Sequence, residues 1–239
     1  MNNDFIKRHS TSAIFMHWFN AVCWFLLLAT GLGLINNVAL SPVGIGWPKF
    51  MNALFNGGQY LLYAHVAVGS IWTLGFLLYI LRSPNQHMVK FLKEMFTVSP
   101  ARDASWLVKK GISMTLGKGI LEKLKIDPEL PEQGFYNVGQ KLFAIPSVIG
   151  GVVIVATGVI MILSKFLTIA VWLVQWSILL HFIAVGLVFA GLLIHIYMAA
   201  IAPDERPAFW SMFSGKVPEE YARHHHALWY HSIKPELKN

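Results

Sequence analysis

Four long apolar runs without Asp, Glu, Lys or Arg dominate the chain, from Ala13 to Ile35, Tyr60 to Leu81, Leu142 to Leu163 and Phe166 to Ala202. About 20 apolar residues span a bilayer, so each of the first three runs predicts one membrane helix. The fourth is too long for one simple span, and two short spans are conceivable. Its middle has only Gly186 and Gly191, with no Pro, Asn or Asp on which to turn. We therefore interpret it as one span with an interfacial or protruding extension around Phe166 to Trp176.

These runs predict an all-α membrane protein, a four-transmembrane-helix bundle that forms a single membrane domain over residues 1–239. The predicted spans are about residues 13–35, 60–82, 140–163 and 170–202. Between the second and third spans, apolar residues three to four apart alternate with Lys and Glu. That pattern is typical of short helices on a membrane surface. We expect an amphipathic cytoplasmic segment at 84–135 and a cytoplasmic tail at 203–239.

Composition and charge placement support this picture and orient it. The chain is 55% hydrophobic and 13% charged with a mean hydropathy of +0.53, whereas soluble domains carry about 25% charged residues. The N-terminal segment, the stretch from Arg82 to Lys141 and the tail hold 17 of the 19 Lys and Arg. The positive-inside rule then places both termini in the cytoplasm. The net charge of +7 fits anionic lipid headgroups better than nucleic acid, so no nucleic-acid partner is expected.

The N-terminal segment and the cysteine content indicate how the chain is processed and which cofactor sites it can form. The polar segment from Met1 to Ser12 leads into a full-length span without a small-residue cleavage site, which indicates a retained first helix rather than a removed signal peptide. Cys23 is the only cysteine. Within this chain, that excludes a disulfide, a Cys-ligated cluster and a C-x-x-C-H covalent haem site.

Four histidines lie inside the apolar runs: His17, His65, His181 and His195. An imidazole in hydrocarbon is costly, so it normally has a partner or a ligand there. His181 and His195 are 14 residues apart on one run. On a helix that spacing is roughly 21 Å, and its angular offset is only about 40° from whole turns. One helix would thus present two ligands on one face, near opposite leaflets.

The predicted topology pairs the histidines by depth. His65 and His181 fall near the outer leaflet, and His17 and His195 near the inner one. Two imidazoles on one iron make a six-coordinate centre suited to electron transfer. The pattern therefore predicts a transmembrane di-haem electron carrier. A proton relay through these histidines is the competing interpretation.

Polar residues outside the runs suggest further chemistry. The predicted cytoplasmic end of the third span carries three polar residues, Asn137, Gln140 and Lys141. They form either a binding site or an ordinary helix start, with Asn137 as N-cap and Lys141 snorkelling to the surface. The triplet His224 to His226 could bind a metal, but no cysteine or closely spaced carboxylate accompanies it, and a surface or interface role is expected instead.

Together these residues resemble the cytochrome b (gamma) subunit of bacterial membrane-bound formate dehydrogenase, in the di-haem cytochrome b561-like family. The resemblance covers nearly the whole chain. It is carried by R-H-S-T-S-A-I-F-M-H-W-F-N from Arg8 to Asn20, Y-A-H at His65, Y-N-V-G-Q-K-L-F from Tyr136 to Phe143, the paired histidines of the last span, and E-E-Y-A-R-H-H-H-A-L-W-Y from Glu219 to Tyr230.

This resemblance implies two b haems, held by His17 with His195 and by His65 with His181, and a quinone site by the inner haem. The implied quinone residues are Asn137, Gly139, Gln140, Lys141 and His195, with menaquinone or ubiquinone as the acceptor. It further implies an iron–sulfur subunit and a molybdenum or tungsten catalytic subunit on the outer face of a bacterial cytoplasmic membrane. The partner could instead be a hydrogenase or a thiosulfate or polysulfide reductase. A haem-free anchor or a proton-conducting module is a further alternative.

Overall fold

The computed structural model describes residues 4–234 and, for Lys118, the backbone alone. Four of its helices are long and apolar enough to cross a membrane: α1 (Thr11–Gly33), α3 (Gly58–Arg82), α7 (Val138–Leu163) and α8 (Val171–Ile196, continued by a π-helical turn over Tyr197–Ile201). The prediction of an all-α protein with four membrane helices is thereby confirmed. The fourth apolar run forms one helix rather than two, as expected from its lack of a turn signal.

Shorter elements connect and flank these helices. Residues Asn85–Val89 form a second π-helical turn, and Pro203–Glu205 form a 3₁₀ turn. The short α-helices are α2 (Gly46–Leu54), α4 (Lys90–Phe96), α5 (Pro100–Thr115), α6 (Lys118–Lys123), α9 (Arg206–Ser214), α10 (Glu219–His225) and α11 (Ala227–Ile233). The sequence analysis did not predict the two three-residue strands, β1 (Phe5–Lys7) and β2 (Lys216–Pro218), which pair antiparallel with Ile6 opposite Val217.

The chain divides into two compact units. One, the α1–α3 unit, consists of Ser10–His87 and Val153–Val185. The other, the loop-and-tail unit, consists of the described residues of Met1–His9, Met88–Val152 and Gly186–Asn239. Helices α7 and α8 each contribute residues to both units.

In the α1–α3 unit, small residues and two tryptophan hydrogen bonds hold α1 close to its neighbours. A Cβ on Gly75 of α3 would lie 2.6 Å from the Phe19 ring, so only glycine admits that ring. Trp72 Nε1 donates to Asn20 Oδ1 at 2.9 Å, and Trp47 Nε1 donates to the Ala29 carbonyl at 2.9 Å. These contacts satisfy the polar atoms that apolar surroundings would otherwise penalise. The Gly75–Phe19 contact and the Trp72–Asn20 hydrogen bond also bring the middle of α3 against α1.

The loop-and-tail unit is organised around the strand pair. Ile6 and Val217 form a small buried core with Tyr221, Ala222 and Tyr230. Gly215 ends α9 in the left-handed conformation (φ 75°), which glycine adopts without steric cost. Its carbonyl accepts hydrogen bonds from the backbone N–H groups of Arg8 and His9 at 2.7 and 3.0 Å. The two ends of the described chain are thus fastened together.

Candidate functional site

Two of the four apolar-run histidines face each other in the α1–α3 unit. His65 is contributed by α3 and His181 by α8. Their ring centroids are 6.5 Å apart with an interplanar angle of 64°. The depth argument paired these same two residues from the sequence alone.

A threonine hydroxyl lies against each of these imidazoles. Thr30 Oγ1 of α1 is 2.9 Å from His65 Nδ1, and Thr157 Oγ1 of α7 is 3.0 Å from His181 Nδ1. In the part of the chain that the structure describes, Nε2 of neither ring takes part in a hydrogen bond. Each ring is therefore held through its Nδ1, which leaves its Nε2 available.

Glycines allow the two rings to lie close to the neighbouring helices. A Cβ on Gly31 would come within 3.2 Å of His65 Cε1, tighter than ordinary van der Waals contact. A Cβ on Gly158 would lie 3.6 Å from His181 Cε1, at normal contact distance. Gly31 is thus the more restrictive position, because a methyl group there would push the His65 ring.

This donor set could hold a haem iron, to which each imidazole would contribute its Nε2. No group of three or more His, Cys, Asp or Glu that could hold a metal ion occurs among residues 4–234. Two imidazoles without further protein ligands suit an iron whose remaining ligands come from a macrocycle.

The other two histidines belong to different units. The Nδ1 of His17 in α1 is buried without a hydrogen-bond partner among the described residues. The His17 and Trp18 rings form a T-shaped contact with their centroids 5.1 Å apart. In the loop-and-tail unit, His195 of α8 stacks on Phe143 with centroids 4.5 Å apart and planes 10° from parallel. Gly191 makes room for Phe143, since a Cβ there would be 3.2 Å from its ring.

The start of α7 is a reciprocal helix cap built from Asn137 and Gln140. Asn137 Oδ1 accepts from the Gln140 backbone N–H at 2.9 Å, and Gln140 Oε1 accepts from the Asn137 N–H at 3.0 Å. This is the capping-box arrangement. The side-chain oxygens of both residues therefore act as helix caps, as the helix-start interpretation predicts. Within the described chain, the Asn137 amide nitrogen and the first-turn N–H of Gly139 have no hydrogen-bond partner.

Neighbouring helices surround this cap. The Trp106 ring of α5 would lie 3.6 Å from a Cβ on Gly139. Lys141 is only 8% exposed, and its Nζ donates to the Thr97 carbonyl at 2.6 Å. The snorkelling interpretation of Lys141 is therefore wrong, because the amine is directed into the protein to a backbone acceptor.

The segment that leads into α7 is fixed by the tail and by Arg8. Gln133 Oε1 accepts from the Val138 N–H at 3.0 Å, while the Gln133 carbonyl accepts from the Leu228 N–H at 3.1 Å. Arg8 donates to the Phe135 carbonyl at 2.6 Å. Its guanidinium also lies over the rings of Phe135 and Trp229, at 4.6 and 5.0 Å, where aromatic faces stabilise a buried cation.

His226 completes this attachment from the tail. It is fully buried, and its Nδ1 lies 2.8 Å from the Gly134 carbonyl, which requires the proton on Nδ1. Burial, assisted by the Arg8 charge, lowers the pKa of His226 to about 3, so the ring is neutral at physiological pH. The expected surface or interface role is wrong for His226, although His224 is exposed.

A second buried polar cluster in this unit centres on Glu205. Lys110 Nζ lies 3.4 Å from Glu205 Oε1, and Tyr221 donates to Glu205 Oε2 at 2.9 Å. Burial, together with the neighbouring Glu205 carboxylate, raises the pKa of Tyr221, so its hydroxyl stays protonated. These residues join α5 to the tail. The sequence analysis missed them, since only their combined burial identifies them.

A comparison with protein families matches residues 8–215 to the prokaryotic cytochrome b561 family. Three relatives align over nearly the whole chain. The formate dehydrogenase cytochrome b556 subunit of Haemophilus influenzae is 26% identical, with 96% of this chain and 84% of the relative covered. The nitrate-inducible formate dehydrogenase cytochrome b556(Fdn) subunit of Escherichia coli is 27% identical, with 93% and 89% covered, and its cytochrome b556(fdo) subunit is 22% identical, with 97% and 94% covered.

Proposed function

This chain belongs to the prokaryotic cytochrome b561 family, and on that premise we propose that it is the electron-transfer membrane subunit of a formate dehydrogenase-type respiratory oxidoreductase. The family implies b-type haem, and four helices can span a membrane. The three relatives are all formate dehydrogenase cytochrome subunits. That favours formate dehydrogenase over the hydrogenase and thiosulfate or polysulfide reductase alternatives.

Two b haems are proposed, one held by His65 and His181 and one by His17 and His195. The observation that carries this proposal is the facing pair His65 and His181, each anchored at Nδ1 and each with Nε2 available. For His17 and His195, the support is their depth in the predicted spans and the 14-residue spacing on α8. When bound, the haems supply one-electron oxidation and reduction through the membrane.

A quinone is proposed to bind at the start of α7, beside Asn137, Gly139, Gln140, Lys141 and His195. The Asn137 amide N–H and the Gly139 backbone N–H are two donors that the helix cap leaves unused, and both suit a quinone carbonyl oxygen. Gln140 and Lys141 would act indirectly, by holding the cap and by fastening α7 to Thr97. Reducing the quinone to quinol takes two electrons and two protons, and we propose that the protons come from the cytoplasm.

The remaining parts of the proposal concern partners and location. An iron–sulfur subunit and a molybdenum or tungsten catalytic subunit are proposed on the outer face, because the three relatives are cytochrome subunits of formate dehydrogenases. Menaquinone or ubiquinone is the proposed acceptor. We propose that the chain is a multi-pass protein of the bacterial cytoplasmic membrane, and the positive-inside rule supports an orientation with both termini in the cytoplasm.

The proposed function is tested in the purified complex with His195→Ala. We expect quinone-linked turnover to be abolished while reduction of an artificial dye by the catalytic partner is retained. The matched control is His224→Ala, an exposed tail histidine that should leave both activities unchanged. Loss of both activities in His195→Ala would contradict the proposal and indicate a structural role.

A further inference from the structure

The two threonines beside His65 and His181 are arranged in the same way. Thr30 Oγ1 lies 2.7 Å from the Leu26 carbonyl, and Thr157 Oγ1 lies 2.6 Å from the Val153 carbonyl. In both cases the carbonyl is four residues earlier on the same helix. This is the usual way in which a threonine in an apolar helix satisfies its hydroxyl.

The proton count at each threonine fixes the state of its histidine. A hydroxyl has one proton, and here it is donated to the carbonyl of its own helix. The oxygen then accepts the hydrogen bond from the imidazole, so Nδ1 of His65 and of His181 carries the ring proton. The His181 ring has the Ile154 carbonyl as a second acceptor. In a neutral imidazole the lone pair is then on Nε2. Both rings are held as the same tautomer, with the same nitrogen available for iron.

We propose that Thr30 and Thr157 are positioning residues that keep Nε2 of His65 and His181 as iron ligands and lower the reduction potential of the haem these histidines hold. An acceptor at Nδ1–H makes an imidazole a more basic ligand. A more basic ligand stabilises ferric iron over ferrous iron. This inference rests on the proposed function, in which the two histidines ligate a haem.

The test replaces each hydroxyl with a methyl group of the same shape, in Thr30→Val, Thr157→Val and the double variant. Thr30→Ser and Thr157→Ser retain the hydroxyl. Thr73→Val is the matched control, because Thr73 donates to the Gly69 carbonyl at 2.8 Å in the same unit without contacting a histidine. The measurement is an optical redox titration of haem b in the purified complex, with electron paramagnetic resonance of the ferric haems.

Each single Val substitution should raise the midpoint potential of one b-type component and leave the other unchanged. Mutation of such supporting partners typically costs about 10- to 100-fold in metal affinity or activity, and we expect an effect at the lower end of this range on the ferric-to-ferrous ratio. A change of about tenfold in the ferric-to-ferrous ratio corresponds to about 59 mV for one electron. The double variant should shift further, while the Ser variants and Thr73→Val should match the parent. Haem loss in the Val variants with retention in the Ser variants would equally support positioning.

Unchanged potentials and unchanged ferric signals in all Val variants, at full haem content, would overturn the inference. Haem loss in both the Val and the Ser variants would also overturn it, since Ser keeps the hydrogen bond. These outcomes leave the haem assignment itself intact. If the parent complex contains no haem b, or if His65→Ala removes none, it is the proposed function that fails.

Discussion

The two proposed haem-ligand pairs are supported in different ways. His65 and His181 lie in one compact unit with their rings 6.5 Å apart, and a threonine hydroxyl lies 2.9 or 3.0 Å from the Nδ1 of each ring. His17 and His195 lie in different units. The Nδ1 of His17 is buried without a hydrogen-bond partner among the described residues, and His195 stacks on an aromatic ring.

Helix packing alone orients the first pair of imidazoles, and we propose that this prepares them for metal binding. At His65 and His181, the hydrogen bonds to the threonines decide which nitrogen is available. At His17, no protein acceptor in the described chain makes that choice. We therefore expect the haem held by His65 and His181 to be the lower-potential component. In the loop-and-tail unit, polar groups instead surround the start of α7, where we propose that the acceptor binds.

The largest expected effect comes from removing one ligand of each pair. His181→Ala and His195→Ala should each remove one haem b and abolish quinone-linked turnover. The component that remains should differ, with the higher-potential haem kept in His181→Ala and the lower-potential haem kept in His195→Ala. Redox titration of the two variants measures this. The same residual potential in both would remove the distinction between the pairs.

A second prediction separates the two roles of Asn137. Asn137→Asp keeps an oxygen for the helix cap but loses the amide N–H, so α7 should stay capped while quinone binding weakens. Losing one donor to a buried acceptor costs about 1–3 kcal/mol, so the KM for quinone should rise about tenfold or more. Haem content should not change.

Asn137→Ala is the control, since it loses the cap oxygen as well. Its quinone KM should rise similarly, and its free energy of unfolding should fall by a further amount of about 1 kcal/mol. Parental quinone kinetics in Asn137→Asp would place the acceptor elsewhere and leave Asn137 only as a cap.

The smallest effect concerns acid sensitivity of the loop-and-tail unit. The folded-state pKa of His226 is about 3, below the ordinary value of 6.5, so the unfolded chain binds the extra proton first as pH falls. The free energy of unfolding should therefore decrease from about pH 6.5 towards pH 3. At pH 5.5, one unit below the ordinary pKa, this single group lowers the free energy of unfolding by at most about 1.4 kcal/mol.

His226→Asn is the variant for this prediction, because its amide N–H can still donate to the Gly134 carbonyl without titrating. Thermal unfolding of the detergent-solubilised protein at pH 7.5 and pH 5.5 should show a smaller acid shift in the variant. Equal shifts in both proteins would exclude His226 as the source.

Much of this arrangement was predictable from the sequence. The four apolar runs predicted four membrane helices, and the depth of each histidine selected His65 as the partner of His181. The orientation of the termini, the span limits, the single-domain assignment and the ligand roles remain predictions. Apolar periodicity and charge counts are strong signals in membrane proteins, because the bilayer allows few alternatives.

The supporting residues were not predictable in the same way. Thr30 and Thr157 look like ordinary threonines in apolar helices, and only the packing of α1, α3, α7 and α8 residues brings them to the imidazoles. Likewise, His226 is fully buried and its Nδ1 bonds to the Gly134 carbonyl, 92 residues away in the chain, which no local sequence pattern reveals. Sequence spacing identifies candidate ligands, whereas three-dimensional contacts identify what orients them.

The most direct test of the account is haem b quantification per chain in the purified complex, for the parent, His65→Ala and His17→Ala. Reduced-minus-oxidised spectra and haem extraction should give two haems in the parent and one in each variant. The haem kept in His17→Ala should be the lower-potential one. A parent with no haem b would contradict the central claim, and a parent with a single haem would contradict the two-site account.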